Sequence, residues 1–233
     1  MAVNKIAIIS ALPDEVDVFK KILHGSDKWD DKEVKVAIGG IGKVAAAATT
    51  QKIISEFKPD LLFFTGMAGA LEEEREIGDL GIVSACIDSD YDARRFDPSL
   101  KRGQFPFTGE RVIKSDSKLV DLALHSPINA RVFDAYEATS STFMDNEKKK
   151  EFVENVCPEL EDEIRGQMRR PNLVDMECVG FLTAAKANYI PALALKTVSN
   201  TLKGDTRFEY SDSLMNERTR AYLDIVAYLM HNY

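Results

Sequence analysis

Residues 5–10 (KIAIIS) are an unbroken apolar run, the pattern of a strand covered on both faces, and residues 11–16 (ALPDEV) supply a turn that opens a helix. The alternation continues. Residues 34–38 predict a second strand, and the glycine turn 39–43 (GGIGK) leads into an Ala/Thr-rich helix through Phe57. Residues 61–64 (LLFF) predict a third buried strand closed by a turn over 65–70 (TGMAGA), and residues 78–83 a fourth. A helix near 117–125, a short strand over 130–136 and a charged helix over 146–154 follow. Near the carboxyl end, residues 175–177 (DME) open an Ala- and Leu-rich helix, and Pro191 restarts the chain. The run ALALKTV then delivers Ser199 and Asn200 to the end of a strand. Buried strands alternating with helices predict an α/β fold, a three-layer sandwich whose mixed, mostly parallel central sheet is flanked by helices.

Residues 88–111 break the pattern, mixing Asp, Arg, Gly and Pro with Tyr91, Phe96, Phe105 and Phe107. They are too long for a plain connection and predict a lid or an interface, an extended edge segment being equally compatible. No linker or composition break divides the 233 residues, so 1–233 is expected to be one domain with a single sizeable core. A net charge of −8 with scattered cations argues against a surface that coats nucleic acid and fits an enzyme of small molecules. Cys86, Cys157 and Cys178 are odd in number and unpaired in spacing, which supports neither a disulfide framework nor a zinc site. With no signal-like or membrane-spanning apolar run, a cytoplasmic setting without a membrane partner is expected. His24, His125 and His231 lie in polar or terminal contexts without ligand spacing, so no metal is expected. The acidic run 72–74 reads as a solvated turn, and Lys148, Lys149 and Lys150 as a helix face.

Chemistry is sought at the carboxyl ends of the strands, where ligands collect in α/β sheets. Glu15 falls in the first turn of a helix, a place where an acid ordinarily just offsets the dipole. Glu177 differs, because the apolar Leu173 and Val174 precede it and a nearly uncharged helix follows, implying a buried carboxylate that needs partners. The glycines at 39–42 either turn the chain or offer backbone N–H groups to an anion at a helix start; they match no phosphate-loop pattern.

Taken together, GIGKVAAA through Ala47, the DME segment and IPALALKTVSN resemble the 5′-methylthioadenosine/S-adenosylhomocysteine nucleosidases, within the purine nucleoside phosphorylase/uridine phosphorylase superfamily. The resemblance spans nearly the whole chain and is weakest over 88–130. It implies a nucleoside phosphorylase-like fold and hydrolysis of a purine nucleoside at its N-glycosidic bond, with no cofactor. Glu15 would be the general base, with Leu12 beside it at the substrate. Glu177 would accept hydrogen bonds from the ribose 2′- and 3′-hydroxyls, with Met176 packing on the sugar. Phe143 and Met144 would border the purine, Met67 and Gly69 would lie beside the water and ligand, and Tyr210 would stand at the mouth. Lys196 would help hold the water and the Glu, while Ser199 and Asn200 would face the leaving base. The resemblance also implies a homodimer, with residues 103–106 (GQFP) at the edge of the partner's pocket.

Four letters depart from the family pattern: Met67 replaces a small hydroxyl residue, Ala70 a glycine, Lys196 an arginine and Asn200 an aspartate. The last matters most, since the family Asp protonates adenine and an Asn amide donates only a neutral hydrogen bond. Three expectations follow for Asn200: a methylthioadenosine/S-adenosylhomocysteine nucleosidase with an altered acid, a hydrolase of 6-oxopurine nucleosides of futalosine or inosine type, or a nucleoside-binding protein with impaired turnover. A phosphorylase is disfavoured because the turn after the first strand, residues 10–13 (SALP), carries no cation.

Overall fold

The computed structural model describes residues 3–23, 29, 32–203 and 212–233, with the side chains of the last segment from 217 onward. Among these residues, ten strands and six α-helices follow in the order β1 (Lys5–Ser10), α1 (Pro13–Leu23), β2 (Glu33–Ile38), α2 (Lys43–Phe57), β3 (Leu61–Ala70), β4 (Leu80–Asp88), β5 (Val112–Lys114) and α3 (Ser117–Leu124). The chain continues through β6 (Val132–Thr139), α4 (Asn146–Asn155), β7 (Asp162–Ile164), β8 (Gln167–Arg169), β9 (Leu173–Asp175), α5 (Cys178–Ala187), β10 (Ala192–Asn200) and α6 (Asp212–Asn232). Residues 88–111 hold no helix or strand beyond the end of β4, as their composition implied.

Helix ends follow local chemistry. Pro13 begins α1, with Asp14 and Glu15 in the first turn and Lys20 and Lys21 in the last, which suits the helix dipole at both ends. Asp116 caps α3 by accepting from Leu119 N, and Asp145 caps α4 by accepting from Lys148 N. Helix α2 instead starts from Gly42 at φ 95°, a left-handed backbone that glycine tolerates and that leaves the amide free to turn elsewhere.

Alternate residues of β1 and β3 face opposite ways. Ala7, Ile9, Leu62 and Phe64 pack with α2 and α5, whereas Ile6, Ile8, Leu61 and Phe63 pack with α1, α3 and α6. Helices thus cover both faces of this part of the sheet. The sheet as a whole is not an open layer, however. β3 pairs with β10, β10 with β4, β4 with β6, β6 with β9, and β9 again with β3, so five strands close a ring from which β1 and β2 extend. The ladders are mixed: β10–β3, β4–β6, β6–β9, β1–β3 and β1–β2 are parallel, and β10–β4, β3–β9 and β4–β5 antiparallel.

The turn expected over 65–70 is therefore corrected to strand. Those residues continue β3 because β10 pairs along it as far as Gly69 and β9 takes Gly69 and Ala70 on the other edge. β1 leaves that edge at Thr65, so between Thr65 and Gly69 it changes partners.

Helices α2 and α5 touch through Gly180, where an added Cβ would stand 2.0 Å from the Lys43 carbonyl oxygen. Backbone cannot yield cheaply at that distance, so Gly180→Ala is expected to cost about 3 kcal/mol of unfolding free energy, measured by denaturant titration.

Candidate active site

A cavity of about 150 Å³ opens where β1, β3 and β10 end. Leu12, Glu15, Met67, Gly69, Phe143, Met144, Met176, Glu177, Lys196, Ser199 and Asn200 all line it, so residues spread over most of the chain converge on one cavity. Tyr210 lies outside the described residues.

Glu15 is buried at the start of α1, where the turn after β1 brings Leu12 N to within 3.1 Å of its Oε2. Burial raises its carboxyl from the usual 4.5 to about 7, against the lowering pull of the Leu12 amide and of Lys196. Gly66 lies near both side chains: a Cβ there would make ordinary contacts, 3.6 Å from Glu15 Oε1 and 3.7 Å from Lys196 Nζ. A carboxyl poised near neutrality can take a proton from water at physiological pH.

Lys196 is fully buried in β10 over the Phe64 ring, 4.6 Å from its centroid. Its Nζ lies 2.7 Å from Asp175 Oδ2 and 3.8 Å from Glu177 Oε2. The close contact is an ion pair rather than an aligned hydrogen bond, since the ammonium has no partner of hydrogen-bonding geometry among the described residues. Burial alone would lower its pKa, but the combined pull of Asp175, Glu137 and Glu177 holds it well above the usual lysine value.

Asp175 was legible in the sequence only as a helix opener. It organises the site. Its Oδ2 accepts from Glu177 N at 3.1 Å and Cys178 N at 2.8 Å, and its Oδ1 from the Thr139 hydroxyl at 2.8 Å. The Asp thus holds the first two amides at the start of α5 and braces β6 while it pairs with Lys196. A helix start three residues after an Asp is the sequence signal for this contact, although nothing local ties it to Lys196.

Glu177 is buried beside that contact, and Gly42 N donates to its Oε1 at 2.9 Å. Burial raises its carboxyl, with Lys196 pulling the other way. The last amide of the glycine turn is accordingly aimed at a carboxylate of the protein itself. The other oxygen, Oε2, faces the Lys196 side of the cavity.

Asn200 ends β10 and is buried, with Oδ1 lacking a hydrogen-bond partner among the described residues. A Cβ at Gly69 would fall 2.8 Å from that oxygen, which explains a glycine at this point of β3. The Ser199 hydroxyl donates to the Ala68 carbonyl at 3.3 Å. Phe143 stands half-exposed at the rim.

Two buried groups were not anticipated. Lys149, expected on a solvated helix face, is fully buried against Gly69, because the phase of α4 turns it inward while its neighbours face solvent. Glu137 in β6 is fully buried with both oxygens unpartnered among the described residues, and burial holds its carboxyl well above the usual range. Glu137, Asp175 and Cys178 place potential ligand atoms within 4.8 Å of one another, but the Lys196 ammonium already supplies this group with its cation.

A family model described as the Phosphorylase superfamily matches residues 5–229, and the chain belongs to that superfamily. Within it, the chain belongs with the 5′-methylthioadenosine/S-adenosylhomocysteine nucleosidases. It is 31% identical to the nucleosidase of that name from Bacillus pumilus over 171 residues, which are 67% of this chain and 73% of the relative. An aminodeoxyfutalosine nucleosidase from Campylobacter jejuni is 27% identical over 226 residues, covering 91% and 92% of the two chains. The crystal structure of Campylobacter jejuni 5′-methylthioadenosine/S-adenosylhomocysteine nucleosidase aligns with a TM-score of 0.81 at 25% identity, covering 99% of this chain and 100% of that one.

Proposed function

We propose that the protein hydrolyses the N-glycosidic bond of purine nucleosides of the 5′-methylthioadenosine/S-adenosylhomocysteine type, releasing the free base and a ribose derivative. The observation that carries this reading is the presence in one cavity of a buried Glu15, its carboxyl raised to about 7, and a buried Glu177, with Lys196 near both. Water attacks C1′ as the C–N bond breaks, and Glu15 takes the water's proton. The developing positive charge on the sugar is met by the carboxylates, while Glu177 binds the ribose hydroxyls and orients C1′. Phe143, with Met144, stacks on the base; Met67 and Met176 supply apolar walls. Asn200 offers the leaving base a hydrogen bond.

A second reading, release of a 6-oxopurine from a futalosine- or inosine-type nucleoside, is favoured by one feature. The Asn200 amide can donate and accept together, and its oxygen lacks a partner among the described residues. Incubation with 5′-methylthioadenosine, S-adenosylhomocysteine, inosine and futalosine, with and without phosphate, separates these readings by the base released. Adenine release without phosphate supports the first and hypoxanthine the second; sugar phosphate would identify a phosphorylase, and tight nucleoside binding without release a protein that has lost turnover. The same proposal takes residues 1–233 as one cytoplasmic nucleosidase domain, acting as a homodimer.

The base must be ionised to act. Activity is thus expected to rise as pH passes through about 7, the value set for Glu15 by burial, and to fall about tenfold per pH unit below it. A profile of kcat/KM between pH 5 and 9 checks this, and a limb near the ordinary carboxylate value would remove Glu15 from the role.

A further inference from the structure

Lys149 is a charge that the hydrolytic steps above leave unused. It is fully buried on α4, and its Nζ donates to the carbonyl of Thr201, the residue after Asn200, at 2.8 Å. Its stem lies against Gly69. A Cβ at Gly69 would stand 3.2 Å from Lys149 Cδ and 2.8 Å from Asn200 Oδ1, which places those two atoms no more than about 6 Å apart. Gly69 and Asn200 line the cavity, and Lys149 stands directly behind them.

Among the described residues the ammonium forms no ion pair. Asp145, one turn earlier, is occupied in capping α4 through Lys148 N. Burial accordingly lowers the Lys149 pKa to about 8, with only the attraction of Asp145 opposing. An ammonium without a counter-ion is costly to bury, and such groups concentrate where a charge is needed.

We propose that Lys149 is the cation of the leaving-base subsite, held behind Asn200 and Gly69 to stabilise the negative charge that the departing base carries. The assignment rests on the nucleosidase reading. The electron pair of the C–N bond goes to the base, the water oxygen bonds to C1′, and the water's proton goes to Glu15. Asn200 contributes a neutral hydrogen bond, so the base departs with its charge and is protonated by solvent after release. Lys149 acts across the Gly69 backbone and through the Thr201–Asn200 segment, as a positioning charge rather than a group in contact with substrate.

The test is kcat for a series of purine nucleosides whose free bases differ in N–H acidity, in wild type, Lys149→Met and Lys149→Arg. Loss of the charge is expected to lower kcat about thirtyfold for the least acidic base and progressively less for the more acidic ones, with KM nearly unchanged. Lys149→Arg is expected to recover most of the loss, and Lys149→Met to melt no lower than wild type. An equal loss for every base, no loss, or an Arg variant no better than Met would overturn the assignment, including when Met fails to fold. Absence of base release by wild type would overturn the nucleosidase reading and this assignment with it, whereas release without these dependences overturns the assignment alone.

Discussion

Glu15→Gln is expected to lower kcat by about a thousandfold while leaving nucleoside binding nearly intact, as shown by single-turnover base release beside equilibrium binding. The amide keeps the shape of the side chain and an oxygen for the Leu12 amide, 3.1 Å away in the wild type, but it cannot take a proton from water. Stability should move the other way. The folded chain holds the Glu15 proton up to about pH 7, whereas the unfolded chain releases it near 4.5. Stability is thus lost as pH rises between those values, and the loss is complete above about 7. It amounts to about 3 kcal/mol at most, and Gln escapes it, so the variant should melt above wild type at pH 8 and converge with it near pH 4. A variant with wild-type turnover would remove Glu15 as the base.

Lys196→Met is expected to be the most damaging single change. The ammonium is fully buried, 2.7 Å from Asp175 and 3.8 Å from Glu177, and Glu137 adds a third acid whose field it feels. Removing one partner of such a group leaves uncompensated buried charge, which costs about 3–5 kcal/mol. The loss should be largest near pH 8 and shrink as Glu177 and Glu137, both raised by burial, are protonated. Lys196 also lowers the Glu15 carboxyl, so whatever activity survives should have its acidic limb shifted upward. Thermal melts at pH 5 and 8, with a pH–rate profile, check both statements; Lys196→Arg keeps the charge and should fall between the two.

The strands and helices that carry their own hydrophobic pattern were legible one by one. β1, α2 and β10 fell where their sequences put them, whereas β9 is three residues long and carries no periodicity of its own. It exists because β3 and β6 offer it partners. The closed ring escaped for the same reason, since it depends on pairings between distant segments. TGMAGA reads as a turn because glycines punctuate strands, yet here Gly69 gives room to Lys149 and Asn200 within a strand. Glu177 stood out through its apolar surroundings. Lys149 did not, because three consecutive lysines look alike until the phase of α4 is fixed against β3. Resemblance to the nucleosidases brought the remaining lining residues together, and it was silent about Glu137, Asp175 and Lys149.

The exchange of partners along β3 has a further consequence. Between the end of its pairing with β1 at Thr65 and the start of its pairing with β9 at Gly69, residues 66–68 have no neighbouring strand on that edge among those described, and this stretch borders the cavity. Backbone groups on that edge are held straight by β10 on the other, so they are already aligned when a nucleoside arrives. On the nucleosidase reading, amide hydrogens along this stretch are expected to exchange quickly in the free protein and slowly in the nucleoside complex, which hydrogen exchange checks.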